Sequence, residues 1–169
     1  MKKIITTVLA AALLVSATAM AKNDYSVGKG NWLVGAYADV NRVWGGGMDG
    51  RTTFNMATEV GYFVWDWLLP EAQFDFGVTE GADSELFTGG ARAYWNKGKP
   101  FLPFVRLNLG VGSIKIGSRA TRFVINPGIG AEYLVAKNVA IGIQFNYEAW
   151  VASNTSSRID IPIGFSIYF

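Results

Sequence analysis

From residue 31 onward the chain alternates between apolar and other residues with a period of two. That is the period of a β-strand, whose successive side chains point to opposite faces. Eight stretches carry the pattern, at about 31–40, 53–64, 68–78, 86–95, 101–112, 122–135, 139–150 and 158–169. In each, one parity is almost purely apolar. The first stretch gives Trp32, Val34, Ala36, Ala38 and Val40; the fifth gives Phe101, Pro103, Val105, Leu107, Leu109 and Val111; the last gives Ile159, Ile161, Ile163, Phe165, Ile167 and Phe169. No charged residue falls on this parity in any of the eight. The opposite parity holds Asp39, Glu59, Glu71, Gln73, Asp75, Arg92, Arg106, Asn108, Arg122, Asn126, Glu132, Gln144, Asn146, Glu148, Arg158 and Asp160, along with many glycines. Helical periodicity is hard to find. The pattern predicts an all-β chain: an eight-stranded antiparallel up-and-down β-barrel with one apolar and one polar face.

Three features put the apolar face outward, against lipid. The polar parity carries arginine but no lysine; Lys22, Lys29, Lys97, Lys99, Lys115 and Lys137 all fall in a terminus, turn or loop. Arginine suits the paired, confined environment of a narrow lumen. Aromatic residues of the apolar parity gather at strand ends: Trp32, Tyr62, Trp95, Phe101, Tyr133 and Phe169 towards one rim, Phe54, Phe76, Phe87, Phe123 and Tyr147 towards the other. Such girdles mark the two interfaces of a membrane. Connections also alternate in length, with short turns at Trp65–Trp67, Asn96–Pro100 and Ala136–Asn138 and longer loops at Asn41–Thr52, Thr79–Glu85, Ser113–Ala120 and Val151–Ser157. Short periplasmic turns with longer external loops are the outer-membrane pattern. Pro127 and Pro162 fall inside strands paired on both sides. Proline donates no N–H to the ladder, so bulges are expected at both.

The first residues change the charge balance. Lys2 and Lys3 precede a mostly apolar run from Ile4 to Val15, and Ala19-Met20-Ala21 forms an A-x-A site. This reads as a secretory signal peptide over 1–21, removed from a mature domain over 22–169. Its removal takes two lysines from 15 Lys+Arg and leaves 13 against 13 Asp+Glu, so no basic excess points to nucleic acid. There is no cysteine, hence no disulfide framework. No other stretch is apolar for the roughly 18 residues a membrane helix needs. A chain half hydrophobic that enters a membrane must then do so as strands.

The segment Ile159-Asp160-Ile161-Pro162-Ile163-Gly164-Phe165-Ser166-Ile167-Tyr168-Phe169 resembles the closing strand of bacterial outer-membrane proteins. Val60-Gly61-Tyr62-Phe63-Val64-Trp65-Asp66 and the run from Gly128 to Asn138 resemble the strand-turn pattern of the small "outer membrane protein beta-barrel domain" families, related in shape to OmpA-, OmpX- and OmpW-type barrels. The resemblance covers nearly all of residues 22–169. It implies a barrel in the outer membrane of a Gram-negative envelope, surrounded by outer-membrane lipid. It further implies that Phe165, Ile167 and Phe169 form the assembly signal read by the barrel-assembly machinery. It leaves the function open, because these families host porins, adhesins, envelope anchors and lipid enzymes.

The chain has no histidine and no cysteine, so nucleophile–base pairs of the Ser-His or Cys-His kind are excluded. Enzymatic barrels of this kind rely on histidine, and a non-enzymatic protein is expected. No loop has the ligand density of a metal site, and no cofactor is expected. An eight-stranded interior is just wide enough for its own side chains to fill, and buried charges need partners. A lumenal charge network of Glu59, Glu71, Asp75, Arg92, Arg106, Arg122, Glu132, Glu148 and Arg158 is therefore expected. This predicts an envelope structural or surface-interaction barrel with a filled polar lumen. The alternative is a narrow porin-like channel for small or hydrophobic solutes. A continuous Arg–Glu network would favour the first, and a gap beside the interior glycines the second. In the loop Asn41–Arg51, Trp44 and Met48 are the residues that could meet an external partner, whose identity the sequence does not give.

Overall fold

The computed structural model describes residues 27–44, 52–79, 82–95, 99–116, 118–151 and 156–169. The segment read as a signal peptide, Met48 and the side chain of Trp44 lie outside the described residues. Nine strand segments follow one another: β1 (Trp32–Trp44), β2 (Thr52–Tyr62), β3 (Leu68–Thr79), β4 (Ala82–Tyr94), β5 (Phe101–Ile116), β6 (Ser118–Ala136), β7 (Val139–Val151), β8 (Ser156–Asp160) and β9 (Ile163–Tyr168). Each pairs antiparallel with its predecessor, except that β8 and β9 lie end to end along β7. β8 and β9 share one register: Asn146 faces Asp160 and Val139 faces Ile167 without a slip between them. They are two halves of a single eighth strand. That strand returns to β1, where Leu33 faces Tyr168, and Trp32 and Phe169 exchange backbone hydrogen bonds of 2.7 and 3.0 Å. The sheet is thus a closed eight-stranded antiparallel barrel, which removes the unpaired edges a bilayer would not tolerate.

The expected bulges at the two prolines are absent. Around Pro127 the β6–β7 pairing passes from Ile125↔Ala149 to Gly128↔Asn146 without a shift, leaving the ladder silent over the intervening residues. The β6–β7 irregularity falls instead at Leu134/Ala136, beside the turn. At Pro162 the eighth strand simply breaks, and the proline carbonyl still accepts from Gln144 N at 3.0 Å. A missing donor costs one rung; it does not require an extra residue. The inside–outside parity survives both prolines. On the β1 side the break is wider. Pairing stops after Ala38↔Ile163 and resumes at Val43↔Arg158, and the Asn41 amide donates to Asp160 across the gap.

The longer loops expected at Thr79–Glu85 and Ser113–Ala120 are largely strand. Thr79 pairs with Ala82, and Ile116 with Ser118. These hairpins run beyond the apolar belt, where Asp83, Glu85, Ser113, Lys115 and Arg119 occupy outward positions. With water on the outside the apolar half of the alternation disappears, so polar strand reads as loop. The alternation of connection lengths is correspondingly weaker than expected.

The outer wall inverts the usual order of a folded chain. Thirty-two large hydrophobic residues are exposed among the described residues, against sixteen hydrophobic residues that are buried. Soluble monomers rarely expose contiguous apolar patches beyond a few hundred Å², so this wall demands lipid. The aromatic residues assigned to the two rims stand on it. At one rim Trp32 lies against Tyr62 with ring centroids 5.0 Å apart, and Trp65 stacks on Trp67 at 5.7 Å. This rim carries the β2–β3, β4–β5 and β6–β7 turns and is called the turn end below; the opposite rim is the loop end.

Candidate functional site

The inward parity of eight strands converges on one narrow lumen, and its residues sort by height. Nearest the turn end an apolar plug forms from Leu33, Phe63, Leu69, Leu102, Phe104 and Leu134, with Tyr94 and Tyr168 on its inner side. Phe63, Tyr94 and Phe104 form a chain of tilted rings with centroids 5.4 and 5.3 Å apart. Near the loop end a second plug forms from Ala82, Leu86, Ile114, Val124 and Trp150. Charges occupy the space between.

Directly above the first plug sits a node built on two arginines. Arg92 Nη2 lies 2.6 Å from Glu59 Oε2 and 2.8 Å from Glu71 Oε2, and its Nη1 lies 3.3 Å from Glu132 Oε1. Phe104 lies under the guanidinium, 4.4 Å from ring centroid to Cζ. Arg106 approaches Glu71 at 3.4 Å and Glu59 at 3.6 Å, and donates to Gln144 at 2.7 Å and to Gln73. Glu132 is the most heavily coordinated group. Tyr37 and Ser166 each donate to its Oε1 at 2.7 Å, while Tyr94 (3.1 Å) and Tyr168 donate to Oε2. Five residues from β1, β4 and β9 therefore converge on one carboxylate of β6. All the ionic groups of this node are buried.

The second node surrounds Arg158. Glu148 receives it through both oxygens at 2.9 Å, Asp160 lies 3.1 Å from its Nε, and its Nη1 donates to Asn55 at 3.1 Å. Trp150 Nε1 also donates to Glu148. Asp75 accepts from Gln73 at 2.6 Å. Arg122 stands closer to the loop end, half-buried, and donates to Ser156 at 3.5 Å. Of the nine charged residues anticipated for the lumen, five meet in the first node, Glu148 and Arg158 pair in the second, and Asp75 and Arg122 flank that second pair.

The interior glycines do not open a channel. A Cβ on Gly130 would come within 2.5 Å of Phe104 Cζ, one on Gly61 within 2.4 Å of Leu69 Cδ2, and one on Gly112 within 2.3 Å of the Trp150 ring. Each is a seat for a neighbour's large side chain. Among the described residues a cavity of about 20 Å³ lies between the plugs beside Asp75, Asn126, Asn146 and Asp160, room for one water.

Sequence reasoning missed the hydroxyls of Tyr37, Tyr94, Tyr168 and Ser166, and the inward hydrophobics that form the plugs. The signal was present: each lies on the polar parity of its strand, where a tyrosine points its hydroxyl into the lumen. Of the three residues assigned to assembly, Phe169 is exposed at the turn-end rim, Phe165 is half-buried, and Ile167 is covered by its neighbours.

The N-terminal barrel domain of Pseudomonas aeruginosa OprF is 16% identical over 84% of this chain and 99% of its own, with a TM-score of 0.67. Neisserial surface protein A is 19% identical over 83% and 100%, at a TM-score of 0.66. The Yersinia pestis attachment invasion locus protein Ail, in complex with the heparin analogue sucrose octasulfate, is 13% identical over 83% and 99%, at a TM-score of 0.61. At these identities the likeness is one of fold. No curated protein matches the chain in sequence. The family model described as outer membrane protein beta-barrel domain matches residues 7–169, nearly the whole length. With its closed barrel, lipid-facing wall and filled polar lumen, the chain belongs to the outer membrane protein beta-barrel domain family, and its place is the outer membrane.

Proposed function

We propose that this protein is a structural or surface-interaction component of the envelope, not a conduit and not an enzyme. The observation that carries this reading is the filling of the lumen: two apolar plugs enclose charge nodes, and the interior cavity between them is about 20 Å³. A hydrated solute would have to displace Arg92 from three buried carboxylates. Fold alone does not decide about catalysis, but the chain contains neither histidine nor cysteine. The carboxylates that could act as acid and base are committed to arginine and tyrosine partners.

In this reading residues 1–21 are removed on export, the turn end faces the periplasm and the loop end faces outward. Phe165, Ile167 and Phe169 present the eighth strand to the barrel-assembly machinery. Surface interaction falls to the loop end, where Asp83, Glu85, Lys115 and Arg119 stand on the outside of the extended hairpins. The test is single-channel conductance of the refolded mature chain in planar bilayers. The wild type is expected to be silent. Arg92→Met together with Arg106→Met, which dismantles the first node, is expected to give flickering current. Steady wild-type conductance that changes with these substitutions would make transport the function.

A further inference from the structure

The lumen is not electrically balanced. Among the described residues six carboxylates are buried (Glu59, Glu71, Asp75, Glu132, Glu148 and Asp160) against three guanidiniums, Arg92, Arg106 and Arg158. The loop-end half carries much of the surplus, because Asp75, Glu148 and Asp160 share the buried Arg158, while the half-buried Asp39 and Arg122 beside them offset each other. Uncompensated buried charge is not tolerated in a low-dielectric interior. The same half also lacks hydrogen-bond donors. Asp75 Oδ2, Asn126 Oδ1 and Asn146 Oδ1 have no partner, although these residues are only 6, 2 and 3% exposed. Asn126 Nδ2 donates to Glu148 and Asn146 Nδ2 to Gln144, each at 3.4 Å, and in this arrangement their oxygens turn away from those partners. All three residues line the same small cavity.

A water molecule in that cavity would supply donors but no charge. A proton on a carboxylate would remove charge but leave the amide oxygens bare. One species meets both needs. We propose that this cavity binds a hard, oxygen-seeking cation of the calcium class, held by Asp75 with the side-chain oxygens of Asn126 and Asn146. Calcium takes mixed carboxylate and amide oxygens in flexible geometry. A mixed set is required here, because among the described residues no three carboxylates stand close enough to form a metal centre unaided. Glu148 and Asp160 add long-range attraction while remaining bound to Arg158. Arg158 also lines a second cavity at the loop-end mouth, beside Thr53, Asp83 and Ser156. Its guanidinium thus separates the mouth from the cation and stands on the route between them. The site rests on the same filled lumen as the proposed function, but stability and conductance are separate readouts, and either expectation can fail alone.

The test uses the refolded mature barrel in detergent, first in chelator and then with millimolar calcium chloride, with sodium chloride at matched ionic strength as reference. Calcium is expected to raise the thermal unfolding midpoint by about 5 °C, the size mass action gives for a ligand well above its dissociation constant. Asp75→Asn should lose the shift, and Glu85→Gln, on the exposed pair with Arg119, should keep it. Terbium offers a second readout on the wild type, because the indole of Trp150 donates to Glu148 next to the cavity and would sensitise emission. Calcium should compete that emission away, and Trp150→Phe should weaken it to what Tyr37, which lines the cavity, sensitises. Should Asp75→Asn fail to fold, these terbium measurements decide. An equal shift with sodium, a shift that survives in Asp75→Asn, or the absence of both shift and competed emission would overturn the site and leave protons to neutralise the lumen.

Discussion

Near the turn end, Arg92 and Arg106 face Glu59, Glu71 and Glu132. Near the loop end, Arg158 faces Glu148 and Asp160, with Asp75 close by. The first group is sealed from one side by an aromatic plug and crowded by tyrosine hydroxyls, so its charges are met by fixed protein partners. The second opens onto a small cavity and, past Arg158, onto the mouth. Both hold charge inside a membrane. One does it with two arginines and a ring of hydroxyls packed around three carboxylates, the other with a single arginine beside room for something mobile. Low dielectric strengthens a dense network and leaves a sparse one responsive, so the same fold can be stiffer at one height and more adaptable at the next.

The largest test of this contrast is removal of each arginine. Arg92→Met takes a cationic partner from three buried carboxylates and should cost about 3–5 kcal/mol, the range for breaking a buried ion pair. Arg158→Met should cost less, about 1–3 kcal/mol, because Arg158 lines the loop-end mouth and its removal lets water in to Glu148 and Asp160. Urea unfolding in detergent micelles, followed by tryptophan fluorescence, measures both. Equal losses would erase the distinction. Next is the cooperativity of the Glu132 cluster. A double-mutant cycle of Glu132→Gln with Tyr168→Phe should return a coupling of about 1–3 kcal/mol; additivity would mean that the hydroxyl is as well satisfied by solvent. The smallest effect separates two glycines. A Cβ on Gly130 meets the Phe104 ring and the Ile143 carbonyl at 2.7 Å, whereas the nearest atoms to one on Gly112 all belong to the Trp150 ring. Gly130→Ala should cost about 1–3 kcal/mol through overpacking. Gly112→Ala should cost less, since the contact is with a side chain that lines the mouth and not with backbone.

The barrel was legible because lipid on one side and a narrow lumen on the other enforce the alternation residue by residue. Phe87, Gly89, Ala91, Ala93 and Trp95 point outward as their parity requires, and Thr88, Arg92 and Tyr94 point inward. Legibility fails where one of those two environments changes. Beyond the bilayer the outward positions Asp83, Glu85, Lys115 and Arg119 meet water, the alternation lapses, and strand reads as loop. At Pro127 and Pro162 the lost donor predicts a bulge, and the wall tolerates an empty rung instead. Within the site, parity names the lumenal residues but not their partners. That Glu132 on β6 gathers Tyr37 from β1, Arg92 and Tyr94 from β4, and Ser166 and Tyr168 from β9 depends on tilt and curvature, which alternation does not encode.

The join between the first and eighth strands is made in two unequal runs. Six residue pairs, Leu33↔Tyr168 to Ala38↔Ile163, hold it at the turn end, and two, Val43↔Arg158 and Trp44↔Ser157, hold it at the loop end. A ring fastened this way is less a welded hoop than a bracelet with a large clasp and a small one. The small clasp opens alone at little cost while the large one keeps the circle shut. The amide hydrogen of Trp44, which faces the eighth strand, should then exchange with solvent long before those of Val34 and Ala36, which face it in the larger run. The barrel would breathe at its outer rim without ever coming undone.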